Sequence, residues 1–158
     1  MNITTKNGDK GSTLFKTGKM DKSDPRIDFV GSIDELQVAI GGIEPENEET
    51  AYKLRTIQET LFNIYPDKIT PQDIKNLEDW QEELTKSNNI FYDWNLTTPK
   101  TYRIDSARVI ARKTERKYVR LKKYEELNEN NLQYLNRLSD FLWILGRKVE
   151  SLQKKKSQ

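Results

Sequence analysis

Apolar residues return at helical intervals in several separate stretches of the chain. Leu135, Leu138, Leu142, Leu145, Val149 and Leu152 alternate steps of three and four, the spacing that lays one stripe of a helix against a bundle core. Ala107, Ile110, Thr114, Tyr118 and Leu121 form a second stripe. Leu54, Ile57, Leu61, Ile64 and Tyr65 form a third, stopped by Pro66, and Ile74, Leu77, Trp80 and Leu84 form a fourth after Thr70-Pro71. A further helix is marked by its ends: Ser23-Asp24-Pro25 offers an N-cap and a first-turn proline, and Gly41-Gly42 closes it. Alternating β-branched runs are few and no internal repeat is visible. The pattern predicts an all-α fold, an up-and-down five-helix bundle over residues 25–153, in one domain spanning 1–158.

Residues outside the stripes complete the layout. Residues 1–24 mix Gly8, Gly11 and Gly18 with Thr, Ser, Asp and Lys and read as a loop-forming arm, ordered by itself or by a ligand. Asn88 to Lys100 is aromatic, polar and without a period, a connection placed to cover a site. Residues 154–158 read as a basic tail.

Composition narrows the chemistry. The 158 residues suit one domain, and 27 Lys and Arg against 25 Asp and Glu leave a formal charge of +2, which gives no case for a nucleic-acid partner. Apolar residues make up only 34%, yet their periodic arrangement argues for a folded chain. Cysteine and histidine are both absent, which removes disulfides, thiolate nucleophiles, Cys- or His-based zinc sites and imidazole catalysis. Catalysis must then rest on Lys, Arg, Asp, Glu, amides and hydroxyls, or on a bound group that carries the hard chemistry. No run approaches the roughly 18 apolar residues of a membrane span, and the N-terminus lacks an apolar signal core, so a cytoplasmic protein without a membrane partner is expected.

Four constellations could carry function. Thr4 to Thr13 offers unobstructed backbone amides, hydroxyls and two lysines, the ingredients of a polyphosphate cradle, although the spacing is not that of a Walker A loop; a flexible glycine-rich terminus is the plain alternative. Arg112 and Arg116 stand at i and i+4 with Glu115 between them and Arg108 one turn earlier. Such planar, permanently charged groups can grip several anionic oxygens, and equally can form a solvated face. Asp34-Glu35 beside Ile33 and Leu36 could place a partly buried carboxylate in need of a cation, or an ordinary exposed acidic pair. Asn136, beside the leucine seam, could be a buried amide facing a ligand or one that fixes helix register.

Taken in order, these segments resemble the PduO-type corrinoid adenosyltransferases. Thr5-Lys6-Asn7-Gly8-Asp9-Lys10-Gly11-Ser12-Thr13 is similar to that family's TKTGDDGTT arm, and Lys22 to Arg26 followed by Gly31 to Leu36 to KDDPRV and GTVDELN. Ala107-Arg108, Arg112 to Arg116 and Tyr134 to Asp140 resemble AR, RRAER and YLNRLSD. The resemblance implies a homotrimer that moves the 5′-deoxyadenosyl group of ATP to the cobalt of cob(I)alamin, with Mg²⁺ accompanying the ATP. It implies that Thr5, Lys6, Asn7, Gly8, Thr13 and Lys22 wrap the triphosphate of one protomer's ATP, joined by Arg112 and Arg116 from the helix of a neighbour, with Glu115 in the nucleotide site near the charge of the Mg²⁺-bound ATP. Asn136 would contact the nucleotide, and Asp34 would pair with Arg112 across the interface. No residues form a metal site of their own. A reductase or an adenosylcobalamin-dependent enzyme would be a further partner.

The likeness also has gaps. The family's FILPGG loop and ALHxAR helix start are replaced by Phe91 to Leu96 and Arg103 to Arg108, and the second arginine of RRAER is Lys113. Phe91, Trp94, Leu96 and Tyr102 are the candidates for the apolar wall beneath the corrin. The altered loop keeps open an alternative, a trimeric ATP- or corrinoid-binding sensor or carrier without turnover. An RNA-binding module is a weaker reading because the charges balance.

Overall fold

Capping chemistry decides where the chain turns helical. A computed structural model of the protein describes residue 6 and residues 8–16, 18–87 and 96–156. Helix α1 runs Pro25–Gly41; the Asp24 carboxylate accepts from the Arg26 backbone N–H at 2.9 Å, and Pro25 lacks the N–H that would otherwise go unpaired. Arg26 also grips Asp24 through its guanidinium, and these bonds hold that carboxyl down at about 2, from an ordinary 3.8. Helix α2 runs Glu48–Leu61 and opens on Asn47, whose side chain accepts from the Thr50 N–H. It starts ahead of the apolar stripe, because Asn47 and two first-turn glutamates supply the start signal before any core residue does. Helix α3, Pro71–Ser87, begins with reciprocal bonds between Thr70 and Asp73, a capping box built with aspartate. Helices α4, Tyr102–Arg120, and α5, Glu129–Lys156, complete the bundle; α5 continues into the segment read as a basic tail.

The helices pack antiparallel around one core. Thr114 Oγ1 donates to Ser32 O, Lys113 pairs with Glu35 and Lys117 with Asp28, so α4 ascends as α1 descends. Asp105 meets Arg147 and Glu115 meets Asn136, which sets α5 antiparallel to α4. Gln81 donates to Arg137 O, Arg137 pairs with Glu78 and Trp80 tilts against Phe141, seating α3 on the other flank of α5. Leu36, Ile57, Leu77, Ala107, Leu135 and Leu138 are fully buried in the shared core. Asn131 is buried too, donating to Ile64 O, Asp67 Oδ1 and Tyr118 Oη; it ties α5 to the α2–α3 connection and to α4. Among the described residues no helix is long and apolar enough to cross a membrane.

One element departs from the expected loop. The arm contains an antiparallel hairpin, β1 Ser12–Phe15 and β2 Gly18–Asp21, with Thr13 opposite Met20 and Phe15 opposite Gly18. Two strands of four residues are too short to show an alternating pattern in sequence, and such a hairpin is marginal unless it packs on something else.

Candidate functional site

The arm is folded back on itself by its glycines and by Lys22. Gly11 N donates to Gly8 O at 3.2 Å, Lys22 N donates to Gly11 O at 2.9 Å and the Lys22 ammonium donates to Gly8 O at 3.0 Å. Gly11 has φ +76°, which a side chain would strain. A Cβ on Gly8 would stand 2.9 Å from Lys22 Nζ, so the glycine leaves room for that ammonium. Lys6 has φ 58°, a left-handed conformation that costs a non-glycine residue roughly 1–2 kcal/mol. The Ser12 hydroxyl is buried with no partner, so an oxygen able to meet a ligand is left unused. Sequence reading gave Ser12 no role; its place between Gly11 and Thr13 was the available signal. Lys6, Gly8, Thr13 and Lys22 thus share one folded arm, while Thr5 and Asn7 lie outside the described residues.

A second set stands on α4 and α5. Arg112 and Arg116 are exposed, the Arg116 guanidinium donating to Arg112 O at 3.1 Å. Asn136 Nδ2 donates to Glu115 Oε1 at 3.2 Å, and Arg137 donates to Asn136 Oδ1 at 3.0 Å. Asn136 is therefore an exposed amide held between a carboxylate and a guanidinium, not a buried one; the register-fixing core asparagine is Asn131. Arg108 also differs from its reading: it turns inward, its side chain 18% exposed and 3.9 Å from Asp105, and leaves the exposed pair to Arg112 and Arg116.

Asp34 is fully on the surface, whereas burial was one possibility for it. Glu35, next in sequence and about 100° further round the helix, is the carboxylate that α4 engages, through Lys113 at 2.8 Å. Among the described residues neither Asp34 nor the Arg112 guanidinium has a partner within the chain. No hydrogen bond or ion pair among those residues joins the arm set to the α4–α5 set. Of the candidates for an apolar wall, Leu96 and Tyr102 are exposed, and Phe91 and Trp94 lie outside the described residues.

The outward faces that hold these groups also expose apolar side chains. Gly31, Asp34 and Val38 follow one another along α1, and Val109, Arg112, Arg116 and Val119 along α4, each at helical spacing. Val38, Val109 and Val119 are all exposed, and a Cβ on Gly31 would meet nothing within 4 Å. Charges without partners among the described residues are set here among exposed valines and an open glycine.

Known proteins agree with this architecture. The family model described as cobalamin adenosyltransferase matches residues 3–149. A corrinoid adenosyltransferase of Bacillus subtilis is 31% identical, with 96% of this chain and 88% of that protein covered. The human corrinoid adenosyltransferase MMAB is 32% identical over 92% of this chain and 67% of its own length. A variant PduO-type ATP:corrinoid adenosyltransferase from Lactobacillus reuteri, complexed with cobalamin and ATP, superposes with a TM-score of 0.86 at 29% identity, covering 97% of this chain and 96% of that one. A second variant of that type, complexed with ATP, gives 0.84 at 30% identity over 96% of each chain. The family model spans the arm and nearly the whole bundle, and this chain belongs to the cobalamin adenosyltransferases.

Proposed function

We propose that this chain carries out ATP:cob(I)alamin adenosyl transfer as a homotrimer, each site combining the arm of one protomer with the α4–α5 face of the next. The observation that carries this reading is the pair of half-sites. The arm and the Arg112–Arg116 pair each carry groups suited to phosphate, no hydrogen bond or ion pair among the described residues joins them within one chain, and exposed valines flank the exposed Asp34 and Arg112. An interface burying Val38, Val109 and Val119 would bring Asp34 to Arg112 of a neighbour and close the site.

The chemistry asks little of the protein. Cobalt(I), supplied by the corrinoid substrate, provides both electrons of the new cobalt–carbon bond. The C5′–oxygen bond of ATP breaks, and triphosphate leaves with that electron pair. No proton moves, so the lack of histidine has no cost here. The chain's task is to align ATP and to stabilise the charge of the departing triphosphate. Lys6, Gly8, Thr13 and Lys22, with Thr5 and Asn7, would wrap the phosphates, and Arg112 and Arg116 would neutralise the charge that grows on them. Asn136 would hold the nucleotide. Phe91, Trp94, Leu96 and Tyr102 are the proposed apolar wall for the corrin.

Magnesium fits the same arrangement. The ion is commonly held by one or two carboxylates together with substrate phosphates. Glu115 offers one such carboxylate: Oε1 accepts from Asn136, and Oε2 has no partner among the described residues. Mg²⁺ on the triphosphate would lower the charge of the leaving group. The expected setting is cytoplasmic, with a reductase or an adenosylcobalamin-dependent enzyme as partner.

The test uses purified protein with ATP, Mg²⁺ and chemically reduced cobalamin, followed by corrin absorbance, with sedimentation for assembly. Adenosylcobalamin formed by a trimer is expected. Mixing a Lys22→Ala variant with an Arg112→Ala variant should restore turnover, since mixed trimers contain intact composite sites. A fully active monomer would overturn the shared site, and ATP binding without any turnover would favour the carrier.

A further inference from the structure

The hairpin that carries the arm's strands touches the bundle at its tip. Phe15 packs on Tyr65 with ring centroids 4.8 Å apart at 54°. Lys16 Nζ donates to Tyr65 O at 3.2 Å and also stands over the Tyr65 ring, 4.2 Å from its centroid. Tyr65 therefore meets the hairpin through its ring, which Phe15 packs against and the Lys16 ammonium covers, and through its carbonyl.

Tyr65 is itself firmly mounted. It sits in the connection between α2 and α3, beside buried Ile64, whose carbonyl accepts from the buried amide of Asn131 at 2.8 Å. Asn131 also donates to Asp67 Oδ1 at 2.7 Å, which fixes the far side of the same turn. The hairpin has a second anchor at its base, where Asp21 accepts from Ser23 and α1 begins. Between base and tip each strand extends roughly 13 Å. Phe15 and Thr13 lie two residues apart on β1 and so face the same way, which makes the seat of Phe15 the determinant of where Thr13 and the glycines beyond it point.

We infer that Tyr65 is a positioning residue for ATP: by pinning Phe15 and Lys16 it holds the arm in its phosphate-binding pose before ATP arrives. The inference rests on the arm being the polyphosphate-binding element. With the pin removed, the hairpin pivots on its base, and each ATP that binds must first order it, which weakens binding without altering the aligned complex.

Three measurements test this on the full-length protein. Tyr65→Ala should raise KM for ATP by about tenfold, with kcat within about twofold and KM for the corrinoid unchanged, as lost preorganisation requires. Tyr65→Phe keeps the ring that Phe15 and Lys16 use and should restore the wild-type KM. Hydrogen exchange of the hairpin amides without ATP should speed up in Tyr65→Ala and not in Tyr65→Phe. Unchanged exchange with an unchanged KM for ATP would overturn the pin while leaving the ATP reading of the arm intact. Faster exchange with an unchanged KM would overturn both, because an arm set loose without effect on ATP does not bind it. A fall in kcat with a rise in both KM values, in Tyr65→Phe as much as in Tyr65→Ala, would overturn the inference as general damage to the fold.

Discussion

Helix α4 carries two groups of charges with opposite fates. Toward its N-terminal end, Asp105 turns inward to meet Arg147 of α5, which also pairs with Glu150, and Arg108 turns in toward Asp105; the Arg147 side chain is only 4% exposed, 3.5 Å from Asp105 and 3.0 Å from Glu150. Further along, Arg112 and Arg116 face outward with no carboxylate among the described residues. The three arginines repeat every four residues, but four residues turn a helix by about 400°, so each step rotates the side chain about 40° further round. Arg108 is thereby left partly buried beside Asp105, and Arg116 lies on the open face. Charges that find partners within the chain serve the fold, and those that do not remain displayed at the surface.

That contrast can be broken at either end. The largest effect is expected from Arg147→Ala, which takes the most buried cation away from two buried carboxylates, Asp105 and Glu150, and should cost about 3–5 kcal/mol of stability by urea unfolding. A loss below about 1 kcal/mol would mean that the inner group is no structural network. Arg112→Ala should do the converse: turnover with saturating ATP falls by about 10²-fold or more while the melting temperature of the protein barely moves. If stability falls and turnover stays, the assignment of the two groups is reversed. Asn131→Ala removes a buried amide from three oxygens and should cost about 1–3 kcal/mol without the steep loss of turnover given by Arg112→Ala.

The smallest effect is electrostatic and depends on pH. Asp24 titrates at about 2 when folded against 3.8 ordinarily, so its contribution is fully present above pH 4 and is lost as pH falls toward 2. Asp24→Asn keeps a capping side chain but cannot titrate. The melting temperatures of the two proteins should therefore converge between pH 4 and pH 2; parallel curves would detach the Asp24–Arg26 pair from the stability of α1.

Much of the bundle could be read without coordinates, because helices announce themselves locally. Asp24-Pro25 and Thr70-Pro71 mark two helix starts, and the seam from Leu135 to Leu145 is buried as its spacing requires; the start of α2 at Asn47, ahead of its stripe, came only with the structure. Polar residues were harder. Asp34 and Glu35 are neighbours in sequence and differ only in angle round α1, yet one faces outward and the other binds Lys113. Asn131 and Asn136 lie on the same helix, and the one buried in the core is the one that sequence reading passed over. Which polar side chain is enclosed depends on the neighbouring helix, and a single helix's period carries no information about that neighbour.

The amino-acid order alone determined the helices, two of their starts, the absence of imidazole and thiol chemistry, and the collection of groups suited to phosphate in two separate segments. Those properties depend on residue type and on spacing along one element. The hairpin, its seat on Tyr65, the inward turn of Arg108 and the outward display of Arg112 came only with tertiary structure. Each depends on where a second element lies when the core closes, and that position is set by packing between residues far apart in the chain.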